Sequence, residues 1–237
     1  MGGSNDLTAG ELRPSRAMTE CEDHKMDSPR RARHPIFARC YSVLGPLAEL
    51  AAMQGVRREL LGGLSGRVLE IGGGAGANLR HYPQEVEKVT VAEPEAALRS
   101  ACRRAARSAS AAVEVIDAIA EALPLPDASC DAAVSALVLC SVTDQQQALA
   151  ELMRVIRPHG ELRFYEHVRS PGLGGRVQDA VDPAWGVIAG GCHLNRATLP
   201  AISQAGFIVT AMREVPTRFA GIPLPAPRMV LGRAIRP

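Results

Sequence analysis

Apolar residues recur at helical spacing from Pro35 onward: Phe37, Tyr41 and Leu44, then, past the interruption at Pro46, Leu47, Leu50, Ala51 and Leu60, up to Gly62 and Gly63. A repeat of three to four positions predicts amphipathic helices with one face against a core, and residues 35–64 read as a helical cap. Short apolar runs then alternate with helical patterns. Arg67 to Ile71, Glu87 to Ala92, Ala112 to Ile116, Cys130 to Leu137 and Glu161 to Val168 are predicted strands. The Ala- and Arg-rich stretch from Glu95 to Arg107 is a predicted helix, as is the segment that Asp144 caps and that ends at Arg157, ahead of Pro158 and Gly160. Strands alternating with helices predict a parallel sheet covered on both faces.

The last third breaks this rhythm. A helical stretch from Arg176 to Ile188 precedes Gly190, Gly191, Cys192 and His193, and a second from Thr198 to Ala205 leads into a strand, Phe207 to Glu214. The Pro-rich connection IPLPAP then precedes a strand from Arg228 to Arg236. Two closing strands with no helix between them predict an antiparallel pair at the sheet edge. Residues 1–34 hold six Lys/Arg and six Asp/Glu with little apolar periodicity, so they bury too little surface to offset the entropy of ordering and are expected to form a disordered arm. The domain proper is expected to span residues 65–237.

At 237 residues the chain suits one α/β domain with a cap. Lys+Arg 27 against Asp+Glu 25 leaves a net charge of +2, and aromatics are 3%. This balance argues against nucleic acid as a partner, since neither a basic field nor a set of stacking platforms is present. Six cysteines without a C-x-x-C pair or a secretory leader read as reduced thiols of a cytoplasmic protein. No apolar run approaches the ~18 residues that span a bilayer, so no membrane anchor is expected. Oligomeric state is left open.

Chemistry concentrates where the predicted strands end. The stretch VLEIGGGAGANL, Val68 to Leu79, runs from a strand into a glycine-rich loop, where the backbone must pass close to a ligand. Gly72, Gly74 and Ala77 match the G-x-G-x-x-G/A dinucleotide fingerprint, with Glu93 placed for a ribose. Yet acids recur: Glu70 ends the first strand, Glu93 and Pro94 the second, Asp117 and Ala118 the third, while Leu137 to Cys140 end the fourth and Glu166 with His167 the fifth. Ligands of open α/β sheets lie beyond these ends. Carboxylates there suit a ligand with ribose hydroxyls, an amino group and an adenine but no phosphate.

VLEIGGGAGANLRHYP, VTVAEPE, IDAIAEALPLPDASCDAAVSALVLCSV, ALAELMRVIRPHGELRFYEHV and GGCHLNRATL together resemble class I S-adenosylmethionine (SAM) methyltransferases, a similarity that runs from about Val68 to Gly232. Within that class they resemble the thiol methyltransferases and their bacterial relatives, with LVLCSV, YEHV and the GGCH stretch as the specific parts. The resemblance implies a Rossmann-like seven-stranded sheet with helices on both faces and an antiparallel last strand. It implies methyl transfer from SAM, leaving S-adenosylhomocysteine, to a small-molecule acceptor, a thiol first. An O- or C-methyltransferase acting on a phenol or quinone stays open, as do a non-catalytic SAM-binding protein and a nicotinamide-dependent oxidoreductase. By the resemblance Glu70, Gly72, Gly74 and Gly76 line the methionine end, Glu93 takes the ribose, Asp117 and Ala118 meet the adenine and Leu137 packs below it, with Asn78 and Pro94 as further cofactor-binding candidates. Glu93 stands where Asp is commoner, and Gly73 and Ala75 replace bulkier residues.

A thiol attacks as thiolate, so a base helps. His167 is the first candidate and His193 the second; Tyr41, Cys140, Trp185 and Arg196 are candidates to line the acceptor pocket. Cys192 and His193 have no second pair at metal-site spacing, so no metal is expected.

Overall fold

The computed structural model describes residues 52–216, 218–219, 222–223 and 228–237. The expected arm, 1–34, and Tyr41 lie outside them, and of the expected cap, 35–64, only the helix α1 (Ala52–Leu61) and residues 62–64 are described.

Seven strands form one sheet. β1 (Gly66–Ile71), β2 (Val86–Ala92), β3 (Ala112–Ile116), β4 (Cys130–Ala136) and β5 (Ile156–Val168) are parallel neighbours in the order 3-2-1-4-5. β6 (Ile208–Val215) takes the far edge, and two two-residue strands, β7 (Arg218–Phe219) and β8 (Ile222–Pro223), pair apart from the sheet. β9 (Arg228–Ile235) lies between β5 and β6, antiparallel to both. The full order is β3-β2-β1-β4-β5-β9-β6. It reverses direction beside β1 and β4, which places the ligand crevice over the carboxyl ends of those strands.

Alternate residues of each strand feed opposite layers. Leu69, Ile71, Ala133, Leu162 and Phe164 pack with Leu149, Leu152 and Ile202, the last three carried by α3 (Gln145–Val155) and α5 (Thr198–Gln204). Val68, Val89, Val91 and Tyr165 pack on the other face with Leu60, Leu61 and Cys102, from α1 and α2 (Ala96–Ala106). Two buried faces explain why the strands read as apolar runs rather than as strict alternation. Asp144 caps α3 as expected, its side chain accepting from the N–H groups of Gln146 and Gln147. α4 (Gly172–Ile188) begins one turn earlier than expected.

One expectation is corrected. Pro158 and Gly160 do not form a stop after the helix, because α3 ends at Val155 and β5 starts at Ile156, so both lie within the strand. The β4 register there jumps from Ile156 opposite Cys130 to Glu161 opposite Ala132. His159 takes φ +62. This is a bulge, where Pro's missing N–H leaves no gap in the ladder.

Candidate active site

The glycine loop leaves β1 with Gly72 at φ +57 and Gly74 at φ +56. A Cβ on Gly72 would sit 2.5 Å from Cγ2 of Val138, so the loop after β1 rests on the loop after β4 with no space for a side chain between them. Glu93, at the end of β2, is buried and accepts from the Gly74 N–H at 2.8 Å and the Glu95 N–H at 2.9 Å. Two lone-pair positions of that carboxylate remain for other donors. Burial pushes the Glu93 carboxyl up, against the two N–H bonds that hold it down.

Glu70 is buried at 2% exposure and accepts from Asn78 Nδ2 and from the Tyr82 hydroxyl, each at 2.8 Å. Arg57 in turn donates to Asn78 Oδ1 at 2.6 Å. Glu70 and Asn78 are therefore joined in one buried network reaching α1. Desolvation raises the Glu70 carboxyl from 4.5 to about 6, with the bonds from Tyr82 and Asn78 opposing it. Gly76, at φ +84, packs against Leu79 and α2.

Asp117, half exposed, is clasped by Arg99 through bonds of 3.1 and 3.0 Å. Arg99 also donates to the carbonyls of Glu93 and Pro94. This arginine, unnoticed in the sequence, ties the end of β2 to the end of β3. Ala118 is buried, whereas Pro94 and Leu137 are half-buried.

The loop after β4 is organised by a residue the sequence reading did not use. Glu166 is fully buried; its Oε1 accepts from the Ser135 hydroxyl at 2.6 Å and the N–H groups of Val138 and Leu139 at 3.0 Å, and its Oε2 from the Cys140 N–H at 3.2 Å. With those donors supplied, Leu137 is held at φ +63, a strained conformation for a branched side chain. A buried carboxylate ringed by donors has no local sequence signature, because the donors come from another strand's end.

Beyond this loop the acceptor candidates converge. Cys140 and Cys192 lie with their sulfurs 3.5 Å apart, and His167 Nδ1 is 3.5 Å from the first and 3.3 Å from the second. The hydrogen bond from Cys140 draws the Cys192 thiol far down, burial opposing and His167 helping, while Cys140 is pushed up. Trp185, on α4, lies beside Cys192 and helps hold its thiol down. His193 Nδ1 lies 2.7 Å from Asp182 Oδ2, and Asp182 Oδ1 accepts the Leu194 N–H at 2.7 Å. Arg196 instead donates to the Leu139 carbonyl at 3.1 Å, bracing the loop. The structure thus brings Cys140, His167, Cys192 and Trp185 together, with His193 beside them, and Tyr41 is outside the described residues.

Relatives fit this arrangement. A methyltransferase domain family matches residues 69–164. The chain is 35% identical to the Rattus norvegicus thiol S-methyltransferase TMT1B over 198 residues, 78% of this chain and 80% of that one. It is 34% identical to the Homo sapiens thiol S-methyltransferase TMT1A over 69% of this chain and 72% of that one. The chain belongs to the SAM-dependent methyltransferase family of these proteins. A further relative, the Hahella chejuensis ubiquinone/menaquinone biosynthesis C-methyltransferase UbiE, is 38% identical over 104 residues, 42% of each chain. Among solved structures, a SAM-dependent methyltransferase from Thermotoga maritima described as a possible histamine N-methyltransferase superposes with TM-score 0.64 at 21% identity, covering 86% of this chain and 98% of that one. The [4+2]-cyclase SpnF superposes equally well, TM-score 0.64 at 19% identity, over 84% of this chain and 94% of that one, so the fold alone does not fix the reaction. Family membership does: the methyltransferase uses SAM as its cofactor and methyl donor, and the crevice of glycines and acids fits it. Among the described residues no helix is long and apolar enough to cross a membrane.

Proposed function

We propose that this methyltransferase transfers the SAM methyl group to a small thiol. The observation that carries the reading is the similarity to the thiol S-methyltransferases across 72 to 80% of their length. The buried cluster around Cys140 and Cys192 supports it as an acceptor region rich in sulfur and imidazole.

SAM supplies a methyl group already activated by a sulfonium, so the protein's work is placement and proton handling. Gly72, Gly74 and Gly76 give the close approach, and Glu70 and Asn78 are proposed to face the methionine amino group. Glu93 and Pro94 are proposed to take the ribose, Asp117, Ala118 and Leu137 the adenine, with Arg99 holding both strand ends in register. The loop pinned by Glu166 carries the acceptor side. His193, aimed by Asp182 in the way a general base is oriented, is the better placed proton acceptor, because His167 turns its Nδ1 to the cysteines. This reverses the order in which the sequence ranked the two. Trp185 and Cys140 are proposed to wall the acceptor. The buried free cysteines Cys102, Cys130, Cys140 and Cys192 suit a cytoplasmic, reducing location.

A second reading, C- or O-methylation of a quinone or phenol, rests on the match to UbiE over 42% of the chain. Mass spectrometry of the protein with SAM and a mixture of thiols, phenols, quinols and amines separates the two. Methylated thiols are expected; methylated phenols or quinols in their place would replace the first reading by the second.

A further inference from the structure

Cys140, His167 and Cys192 come from three segments: the loop after β4, the end of β5 and the turn after α4. They stand 25 to 52 positions apart, yet their ligand atoms all lie within 4.8 Å of one another. The sides of that triangle measure 3.5 Å between the sulfurs, and 3.5 and 3.3 Å from each sulfur to Nδ1. Tetrahedral zinc, with bonds of about 2.3 Å to sulfur and 2.0–2.1 Å to nitrogen, demands separations of about 3.8 Å between sulfurs and about 3.6 Å between sulfur and nitrogen. The triangle is one face of that tetrahedron to within roughly 0.3 Å.

Its corners are held from behind. Glu166 fixes Cys140 through the N–H at 3.2 Å, and the Cys140 carbonyl accepts the His193 N–H at 2.8 Å, which clamps the Cys192 turn to the same loop. Thr198 donates to the His167 carbonyl at 3.3 Å. All three ligand residues are buried. The carboxylate of Glu166 is not part of this cluster: its oxygens face the Ser135 hydroxyl and the N–H groups of Val138, Leu139 and Cys140. Three protein ligands with one position left over is the pattern of a catalytic rather than a structural zinc.

We propose that Cys140, His167 and Cys192 bind a zinc ion whose fourth position receives the acceptor's sulfur. The proposal rests on the thiol reading above and departs from the sequence expectation of no metal, which looked for ligands at motif spacing. In the step it describes, the acceptor thiol loses its proton to solvent through His193 as sulfur binds the metal. A lone pair of that sulfur then forms a bond to the methyl carbon. The methyl carbon's bond to the sulfonium breaks with its electron pair staying on the donor's sulfur, and the neutral thioether, a poor ligand, leaves the metal. Nothing is oxidised or reduced.

The test uses the full chain, reduced, stripped with a chelator and titrated anaerobically with Co(II) alone as a spectroscopic substitute. One equivalent should bind with thiolate-to-cobalt charge transfer and the visible bands of tetrahedral cobalt. Cys140→Ser and Cys192→Ser should each lose at least tenfold in affinity, and Cys130→Ala should not. If a serine variant does not fold, Zn(II) protection of two thiols against alkylation in the unaltered protein, counted by mass spectrometry, serves in its place. Absent 1:1 uptake, uptake indifferent to both serines, or unprotected thiols overturn the site. Adding a small thiol to the cobalt protein should shift the bands, and an unchanged spectrum overturns the fourth-position role. Thiol methylation at full rate by the stripped protein would overturn the metal's role yet leave the thiol reading standing. Metal uptake with no thiol methylated by stripped or zinc-loaded protein would overturn that reading and, with it, the fourth-position role.

Discussion

Replacing Glu70 by Gln separates what this carboxylate does for the ligand from what it costs the fold. Gln has the same shape and can keep both neighbours, its oxygen accepting from Asn78 and its amide donating to the Tyr82 oxygen. What it removes is a buried charge. The wild-type carboxyl, raised by desolvation from 4.5 to about 6, is held protonated by the folded state, so its favourable contribution is complete below pH 4.5 and is lost as pH rises through about 6. That rise corresponds to about 2 kcal/mol, of which roughly 1 kcal/mol disappears between pH 5 and pH 8. Glu70→Gln lacks this loss. Its stability relative to wild type should therefore improve by roughly 1 kcal/mol over that interval, about 0.4 M in a urea midpoint. SAM should meanwhile bind at least ~10-fold more weakly to the variant at pH 8, a charge-assisted bond to the cofactor's amino group being gone. Urea unfolding at pH 5, 6 and 8, with calorimetric titration of SAM, reads both. A stability difference that does not change with pH would refute the raised carboxyl, and unaltered SAM affinity would refute its role at the amino group.

Gly72→Ala drives a Cβ to 2.5 Å from Val138 at φ +57; about 1–3 kcal/mol of stability should be lost and SAM binding should fall by at least tenfold in calorimetry. Glu166→Ala leaves the Ser135 hydroxyl and three N–H groups without their acceptor, so about 3 kcal/mol or more should be missing in denaturant titration, with turnover reduced more than SAM affinity. Arg99→Ala should weaken SAM binding about tenfold and lower the melting temperature by a few degrees, because Asp117 is half exposed but the Glu93 and Pro94 carbonyls also lose this donor; equal affinity would show that the clasp between the ends of β2 and β3 does not shape the cofactor site.

The parts of the fold legible in the sequence are those governed by local periodicity. The runs at Val68, Val89, Val134 and Leu162 mark strands because both of their faces are buried, and Asp144 marks a helix start because its cap is made within three residues. The boundary after Val155 was illegible for a related reason. Pro158 and Gly160 ordinarily end helices, and only the sheet partner Ala132, opposite Glu161, turns the same residues into a bulge. In the site, the glycine loop and the acids Glu70, Glu93 and Asp117 are visible because they sit at strand ends in chain order. Arg99, Glu166, Asp182 and the grouping of Cys140 with His167 and Cys192 depend on which loops meet across the top of the sheet, information carried by no single stretch.

β9 sits between β5 and β6, hydrogen-bonded to each, although it comes after both in the chain. β6 therefore has no place in the sheet until residues 228–235 have been made. During synthesis, which presents the chain from its amino end, the five parallel strands and the cofactor loop can assemble first while β5 and β6 wait with unpaired edges, the state most open to wrong pairing with another chain. A chain interrupted ahead of Arg228 would keep every residue named here for SAM and acceptor and still leave both edges bare, so for this enzyme the ability to hold its ligands and the ability to stay out of aggregates are encoded in different stretches.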